Sequence, residues 1–494
     1  MNRFWIYGVG VFFPILLTAC MVGPDYERPP SPTVTRYVKD LPESTQATQK
    51  KGGEEQHFDF GEKLRHDWWA LFKSPRLNTL IEKALAQSPT LESAQAALRQ
   101  AQENVSVFSG NNLYPSVDLG ISVERQKTSG ASSGTTGSTT FNLLNPSLNV
   151  SYTFDFFGGQ QRQIEALMAG VDYQRFLWEA AHLTLVSTLI TTLIQEASLW
   201  EQINVTQKMI NIQIQILEIV RSQFKIGAAA ETDVLAQETL LAQTQALLPP
   251  LEKQLYYVSH AVSFLVGEFP EETQRSPFTF EEFELPQNLP IHLPSALVRM
   301  RPDIKASEAL LQAANSNIGF AEANFFPSLT LTGTAGTMAL STHDFMANSA
   351  TVWSLGSSLL QPLFRGGAIS AEKRAMEAAY DQAFANYRQT VLMALQNVAD
   401  ALRSTVLDAK NFQLQSYAQE KALKTLTISQ DQFKVGGTPY LSVLNAKNQY
   451  LQALLNAITA SALRFIDTVA LFQAVGGGWG ENAAQKNKTT GNLK

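Results

Sequence analysis

Residues 223–237 read QFKIGAAAETDVLAQ, and residues 432–446 read QFKVGGTPYLSVLNA. Six of the fifteen positions are identical, and Phe224 and Phe433 are 209 residues apart. Both copies place a glycine, Gly227 or Gly436, between two runs that favour helix. Glycine accepts the positive φ values with which many helices end. The stretch therefore predicts a helical hairpin that occurs twice in the chain.

Three further pairs of segments recur in the same order, with offsets close to 209 residues. They are Ser88–Leu91 with Arg301–Ile304, Tyr114–Leu119 with Phe326–Leu331, and Phe156–Gly159 with Phe364–Gly367. A series of matches at a nearly constant offset indicates an internal duplication. We expect a first repeat over residues 67–267, a connector rich in proline and glutamate over 268–294, a second repeat over 295–475 and a tail over 476–494.

The amino-terminal residues predict a processed leader and a lipid anchor. Arg3 is followed by an apolar run from Trp5 to Leu17 that is too short to span a membrane, as in a secretory signal. Cys20 is the single cysteine, and Leu17-Thr18-Ala19 before it resembles the bacterial lipobox. We expect a signal peptide over 1–19, an N-acyl diacylglycerol on Cys20 and an extended segment over 20–66. The alternative is an ordinary cleaved signal with an incidental cysteine.

Each repeat reads as helix, strand, loop, strand, long helix, break and helix. Apolar and polar residues alternate strictly over 116–124 and 148–156, and less regularly over 329–336 and 353–363. This pattern and length are typical of membrane-barrel strands, although a half-buried strand of a soluble sheet also alternates. Four strands do not close a barrel, and lipid does not tolerate open edges. If the strands span a membrane, two, three or four copies must associate.

The long helices carry apolar residues at heptad spacing on two opposite sides. One stripe is Ile203, Ile210, Leu217 and Phe224, and the other is Val205, Ile212, Ile219 and Ile226. The second repeat shows the pattern imperfectly, with Phe412, Leu426 and Phe433 on one side and Leu414, Ile428 and Val435 on the other. Two opposed stripes fit a helix with a neighbour on each side, as in the wall of a helical tube. A coiled-coil scaffold would explain these stripes but not the strands.

Composition and motifs argue against catalysis and nucleic-acid binding. The formal net charge is −6, which does not favour nucleic acid as a partner. The six histidines are scattered, and no nucleophile elbow or phosphate loop occurs. Residues 476–479, GGGW, follow a helix and are typical of a helix cap. After the leader we expect no transmembrane helix, no metal site, no cofactor and no enzyme activity.

Several motifs together resemble the TolC/OprM-type outer membrane factors, in the lipoprotein (NodT-like) branch of tripartite efflux systems. The segments that carry the resemblance are Cys20–Pro29, Leu77–Leu91, Arg301–Ile304, Ala313–Asn315, Ile318–Leu329, Gln361–Phe364, Val398–Leu402 and Gly476–Trp479. The resemblance implies a homotrimer whose outer-membrane β-barrel takes four strands from each chain and continues into a long periplasmic α-helical barrel. It also implies passive efflux of small molecules. The alternative within the same fold is a channel for type I protein secretion.

The resemblance further implies partners and a working site. The partners are outer-membrane lipid, a periplasmic adaptor protein and an inner-membrane pump of the RND type. The repeated hairpins become the periplasmic tip, where the channel is gated and the adaptor docks. The implied tip residues are Phe224, Gly227, Thr232, Asp233, Phe433, Gly436, Thr438, Leu441, Ser442 and Asn445. Since Asn445 and Ser442 are uncharged, we expect a gate held more by packing than by ion pairs, with a weak preference for cations.

Overall fold

The computed structural model describes residues 21–134, 136–272 and 275–478. In these residues the helices are α1 Pro75–Gln87, α2 Pro89–Leu113, α3 Gly159–Lys225, α4 Glu231–Gln245, α5 Leu248–Val266, α6 Pro294–Met300, α7 Pro302–Ala323, α8 Ala368–Lys434 and α9 Tyr440–Ala474. The strands are β1 His57–Phe60, β2 Ser116–Ser129, β3 Ser138–Phe154, β4 Asn288–Ile291, β5 Ser328–Thr337 and β6 Thr351–Leu360. The predicted signal peptide, Cys20 and the tail from Trp479 lie outside the described residues.

The two longest helices have matching bounds. Helices α3 and α8 each contain 67 residues, and a shift of 209 residues converts the first and last residues of α3 into those of α8. At a rise of about 1.5 Å per residue each helix is roughly 100 Å long. Neither helix contains proline, which would interrupt the backbone hydrogen bonds. The long helix predicted for each repeat is therefore present as one unbroken helix.

Four strands form an antiparallel sheet in the order β2-β3-β5-β6. The central pair, β3 with β5, joins the first half of the chain to the second. Val117 lies opposite Val150, Val150 opposite Gly333 and Gly333 opposite Leu355, so one register crosses all four strands. Strands β2 and β6 are the two edges. The four predicted strands are therefore present, and within one chain they form an open sheet.

One face of this sheet is apolar and exposed. Its exposed residues include Val117, Leu119, Ile121, Val123, Leu148, Val150, Trp353, Leu355 and Leu359. The other face carries mainly serine, threonine, asparagine and glycine. Trp353 is 78% exposed, a large value for an aromatic side chain. A face of this kind is normally covered by protein or by lipid.

The described chain divides into two compact units, each of which draws on both predicted repeats. Among the described residues, the first unit comprises 21–29, Ala97–Gln174 and Ala306–Tyr387 and contains the four-stranded sheet. The second comprises Pro30–Ala96, Arg175–Lys305 and Arg388–Lys494. The core of the second unit is aromatic and includes Trp68, Phe72, Phe278, Phe283, Phe465 and Phe472.

The predicted connector contributes to this core. Phe278 and Phe283 are fully buried and stack with ring centroids 5.5 Å apart. Arg275 forms two hydrogen bonds, of 2.7 and 2.8 Å, to the buried carboxylate of Glu196 in α3. Glu196 also accepts a hydrogen bond from the main-chain N–H of Phe278. Residues 268–294 therefore do more than link the two halves, because they pack against the long helix.

The segment predicted to be extended, residues 20–66, is held by residues far away in the sequence. Strand β1 pairs in parallel with β4, and His57 lies opposite Asn288. Arg464 of α9 is 1% exposed and donates hydrogen bonds to the carbonyls of Gly52 and Glu54 and to the side chains of Thr45 and Gln56. Burial lowers the pKa of Arg464 to about 10, so the guanidinium stays charged at neutral pH. This single side chain ties residues 45–56 to the last helix.

The apolar stripes of the long helices are buried to different extents in the two halves of the chain. On α3 both predicted stripes are buried or half-buried as far as Ile219, and the last member of each, Phe224 or Ile226, is exposed. On α8, Phe412 and Leu426 are buried. The opposite α8 stripe, Leu414, Ile428 and Val435, is exposed in the single chain. One face of α8 therefore remains without a partner in one chain.

We expected no transmembrane helix after the leader. By length and hydropathy this expectation is wrong, because two helices are long and apolar enough to cross a membrane. Helices α3 and α9 each contain an 18-residue window with a mean hydropathy of 1.4 and few charges. However, 50% of the α3 window and 56% of the α9 window are buried inside the protein itself. The windows are apolar because the helices pack against the rest of the chain, which sequence hydropathy alone does not reveal.

Candidate functional site

The repeated sequence forms two turns with the same hydrogen bonds. In the first, Gly227 N–H donates to the Phe224 carbonyl at 2.9 Å and Ala228 N–H to that of Gln223 at 2.8 Å. The residues 209 positions later make the same two bonds at 3.0 and 2.8 Å. Gly227 has φ = +76° and Gly436 has φ = +77°, values that favour glycine. Each turn joins a 67-residue helix to the next helix and so forms the end of a hairpin. We call α3–α4 hairpin 1 and α8–α9 hairpin 2.

The second helix begins differently in the two hairpins. In hairpin 1 the Asp233 carboxylate accepts a 2.9 Å hydrogen bond from the main-chain N–H of Ala230, which satisfies a free donor at the start of α4. The residues 209 positions later are Ser442 and Pro439. Proline has no N–H, so an acid at position 442 would have no equivalent bond to accept. This gives the exchange of aspartate for serine a local physical reason.

Hairpin 1 is braced by polar side chains. Arg221 in α3 forms a 2.6 Å ion pair with Glu238 in α4, and both side chains are about half exposed. Gln237 of α4 donates a 2.6 Å hydrogen bond to Gln213 of α3. Both interactions link the two antiparallel helices. The arms of hairpin 1 are therefore held near the turn by contacts that water and salt can weaken.

Hairpin 2 is braced by apolar side chains. Leu426 of α8 packs with Val443 and Ala446 of α9 in a small buried cluster. Nearer the turn, the rings of Phe433 and Tyr440 lie 5.2 Å apart at an angle of 46°. Aromatic contacts and apolar burial depend little on ionic strength. Hairpin 1 thus adds exposed polar contacts to its buried α3 stripes, whereas hairpin 2 has apolar contacts close to its turn.

All the predicted tip residues lie in these two turns or in the first helical turns after them. Asn445 and Thr232 are exposed, whereas Thr438, Leu441 and Ser442 are half-buried. In the described part of the chain, the hydrogen bonds and ion pairs near each turn join residues of the same hairpin. The structure therefore groups the predicted residues into two separate sets, one for each hairpin.

The sequence did not predict the interactions that hold the two helices of each hairpin together. Arg221 and Glu238 are 17 residues apart, and nothing in their local sequence pairs them. A comparison of the two repeats offers a signal, because they differ at these positions. The residues 209 positions later are Gln430 and Lys447, which cannot form an ion pair of the same kind. The apolar cluster of Leu426, Val443 and Ala446 was hidden within the general heptad pattern.

A second group of contacts holds the residues that follow Cys20. Arg162 at the start of α3 is 4% exposed and donates hydrogen bonds to the carbonyls of Val22 and Gly23. It also pairs with Asp25 at 2.8 Å. Gly23 packs so closely on Gly319 that a Cβ at Gly23 would overlap the Gly319 backbone. We call these contacts the amino-terminal clasp.

Further along the same segment, Arg28 and Tyr26 contact the buried carboxylate of Glu308 in α7. Asn315 donates a 2.8 Å hydrogen bond to the Pro24 carbonyl. Burial, together with the negative charge of Glu308, raises the pKa of Tyr26 far above its usual value, so this hydroxyl keeps its proton. Residues 22–28 are therefore fixed within the first unit.

In the described residues, no group of three or more histidine, cysteine, aspartate or glutamate side chains is placed to hold an ion. The geometry instead combines an open sheet with an exposed apolar face, two helices of 67 residues and paired hairpin turns. These features are typical of a channel-forming membrane protein.

Comparison with known proteins identifies the class. The sequence matches the family of outer membrane efflux proteins over residues 80–268 and 293–477. The pyoverdine export outer membrane protein OpmQ of Pseudomonas putida is 30% identical over 420 residues, which cover 83% of this chain and 88% of the relative. The cation efflux system protein CusC of Escherichia coli is 26% identical over 481 residues, covering 94% and 97%.

A solved structure gives the same result. The outer-membrane channel OprN matches with a TM-score of 0.80 and 26% identity, over 93% of this chain and all of that one. The chain belongs to the outer membrane efflux protein family. It is an outer-membrane efflux channel, and the family resemblance inferred from the sequence is confirmed.

Proposed function

We propose that three copies of this chain form one passive channel, and that their twelve strands close into a barrel. The observation that carries the proposal is the open four-stranded sheet, with edges at β2 and β6 and an exposed apolar face. In lipid such edges must pair, because an unpaired backbone group costs several kcal/mol there, roughly. The choice of three copies rests on the resemblance to outer membrane factors.

The exposed stripe of α8 supports association along the helices as well. Leu407, Leu414, Ile428 and Val435 follow a spacing of seven or fourteen residues, and all four are exposed in one chain. Packing this stripe against a helix of the next copy would remove it from water. We propose that the long helices thereby form a periplasmic tube that continues the barrel, and that an internal duplication supplies its two matching hairpins.

The two hairpin tips form the gate in this proposal, and Asn445 lines the entrance. Three uncharged Asn445 side chains would give little preference for cations. Hairpin 1 depends on Arg221 and Glu238, whereas hairpin 2 depends on Leu426, Val443 and Ala446. Moving a hairpin that is held by a half-exposed ion pair costs less than separating a buried apolar cluster. We therefore assign the larger opening movement to hairpin 1.

We propose that Cys20 carries a lipid and that the amino-terminal clasp positions it. Arg162 holds Val22 and Gly23 beside the end of β3, where Val22 N–H also donates to the Phe157 carbonyl at 3.1 Å. Cys20 precedes Val22 by two residues, so the two Cα atoms can be no more than about 7 Å apart. The lipid would therefore enter the membrane at the level where the strands meet the helices.

The channel supplies no energy of its own in this proposal. A periplasmic adaptor docks at the hairpin tips, and an inner-membrane pump of the RND type drives transport. The names of two relatives mention pyoverdine export and cation efflux, so similar chains serve different cargoes. We propose that the cargo here is a small molecule that the inner-membrane pump selects.

The test is trimer formation in the outer membrane. Outer-membrane fractions of cells that express the full chain should contain a species three times the monomer mass that dissociates on heating. Ile428→Lys should reduce this species, whereas Thr427→Lys, on the neighbouring exposed position of α8, should not. A protein that remains monomeric in the outer-membrane fraction would refute the proposal.

A further inference from the structure

The four-stranded sheet separates its charges by sign. All residues of β2, β3, β5 and β6 are described, and the charged ones all lie in β2. Asp118 and Glu124 occupy the polar face, because they share the alternation of Ser116 and Ser122. Arg125 and Lys127 occupy the apolar face, because they continue the series Val117, Leu119, Ile121 and Val123. Each sign is thus confined to one face of the sheet.

The two cations lie just beyond the apolar band. Lys127 is four residues past Val123, which is about 13 Å along the strand. Opposite Arg125 and Lys127 on β3 are Asn142 and Thr140, so the neighbouring strand offers no carboxylate. Both cations are exposed, and none of the ion pairs between described residues includes them.

The spacing of the cations is suited to an anion. Residues at positions i and i+2 on one strand face are about 7 Å apart, so the two positive charges repel each other unless an anion lies between them. A phosphate group can accept hydrogen bonds from both side chains, and a guanidinium binds phosphate with particularly good geometry. The site therefore fits a phosphate carried by a molecule that also covers the apolar face.

We propose that Arg125 and Lys127 bind the phosphate groups of a glycolipid in the outer leaflet of the outer membrane. This inference rests on the proposed function. Since the helices next to Ser116 and Phe154 extend into the periplasm in that proposal, the β2–β3 loop lies at the outer surface and the apolar face lies in lipid. Acyl chains of the lipid lie against Val123 and Leu144, while its headgroup meets the two cations. Long cationic side chains at the end of a membrane-spanning segment reach the headgroup region in this way.

The test is a lipid titration of the full-length trimer in detergent, with bound lipid counted by native mass spectrometry. The probes are a bis-phosphorylated lipid A and the same lipid without phosphates. Each cation near an anionic headgroup contributes about 1 kcal/mol, so the wild type should prefer the phosphorylated probe by roughly tenfold or more. Arg125→Gln/Lys127→Gln should lose this preference.

Glu124→Gln is the matched control, since it changes one charge next to Arg125 but on the opposite face. It should bind the phosphorylated lipid like the wild type. Free inorganic phosphate in millimolar excess should not displace the lipid, which separates binding of a lipid from binding of the ion alone. Displacement by phosphate would show an ion site without lipid recognition and would overturn the proposal.

Two other results would also overturn it. Equal binding of both probes by the wild type would show that the two cations do not recognise the phosphate groups. A lower melting temperature of the double variant's trimer, with unchanged lipid preference, would assign the cations to a contact between copies. A chain that forms no heat-sensitive trimer would refute the proposed function itself, whereas a trimer without lipid preference refutes this inference alone.

Discussion

The guanidinium of Arg221 lies 2.6 Å from the carboxylate of Glu238 and ties the end of α3 to α4. The positions 209 residues later hold Gln430 and Lys447, so hairpin 2 has no equivalent pair. In its place, hairpin 2 has a buried cluster around Leu426. Two hairpins with the same turn geometry therefore differ in what holds their arms together, and the difference can be measured.

Removing the ion pair should loosen hairpin 1. We expect Arg221→Gln to raise the open probability in planar bilayers by a few-fold at low salt, since a half-exposed pair contributes up to about 1 kcal/mol. High salt screens the pair and should abolish the difference between variant and wild type. Gln430→Ala, at the matching position of hairpin 2, serves as the control. An effect that persists at high salt would contradict this explanation.

Truncating the apolar cluster should loosen hairpin 2 instead. Leu426→Ala removes a side chain that is 7% exposed, and such changes cost about 2–5 kcal/mol in a well-packed core. We expect faster hydrogen exchange at backbone amides around Gly436, with hairpin 1 unchanged. Leu423→Ala, at an exposed position three residues away, should have little effect. Equal acceleration in both hairpins would show that they do not move independently.

A charge at the entrance should change ion selectivity. Asn445 is exposed, and in the proposed trimer Asn445→Asp would place three carboxylates around the proposed entrance. We expect the permeability ratio of potassium to chloride to rise by several-fold, because like charges in a narrow passage concentrate counter-ions. Asn456→Asp, three turns further along α9, is the control. An unchanged reversal potential in Asn445→Asp would place Asn445 away from the constriction.

His182 should make the second unit sensitive to acid. Burial lowers the pKa of His182 to about 4 in the folded protein, below the usual value near 6.5 of an exposed histidine. The fold therefore favours the neutral ring, and stability is lost as the pH falls from about 6.5 towards 4, by about 3 kcal/mol at the lower limit. Melting temperatures should show that His182→Gln flattens this loss. Thr184→Gln, at an exposed position two residues further along α3, should leave the pH dependence as in the wild type.

Asp467 should lower the stability of the fold at high pH, which is the opposite of the effect of His182. Burial, reinforced by the neighbouring Asp408, raises the pKa of Asp467 to about 8. The fold therefore favours the protonated acid, and stability is lost as the pH rises from about 4 to 8. We expect Asp467→Asn to raise the free energy of unfolding at pH 8 by at least about 1 kcal/mol, and to change it little at pH 4. A uniform effect at both pH values would point to packing instead of titration.

Much of the fold follows from local patterns in the sequence. Gly227 and Gly436 end their helices where the repeat predicts, because positive φ is a local requirement of the turn. The strands follow from strict alternation, since one face of each must be apolar throughout. Both signals lie within a few residues, and a single sequence contains them in full.

The remaining features depend on residues that are distant in the sequence. The four-residue pair of β1 and β4 joins segments more than 200 residues apart, and neither strand is long enough to show a pattern. The connector has a polar composition, yet Phe278 and Phe283 place it in the core. At the tips, the sequence locates the turns but not the Arg221–Glu238 brace, because pairing across a hairpin requires the register of both helices.

The hydrogen bonds of Arg464 also constrain the order of assembly. Residues 45–56 leave the ribosome and cross the inner membrane early, but Arg464, which binds them, is made about 400 residues later. Until α9 arrives, the buried Gln56 and the carbonyl of Gly52 lack their guanidinium partner. Residues 45–56 can therefore complete these hydrogen bonds only after α9 has been synthesised and exported.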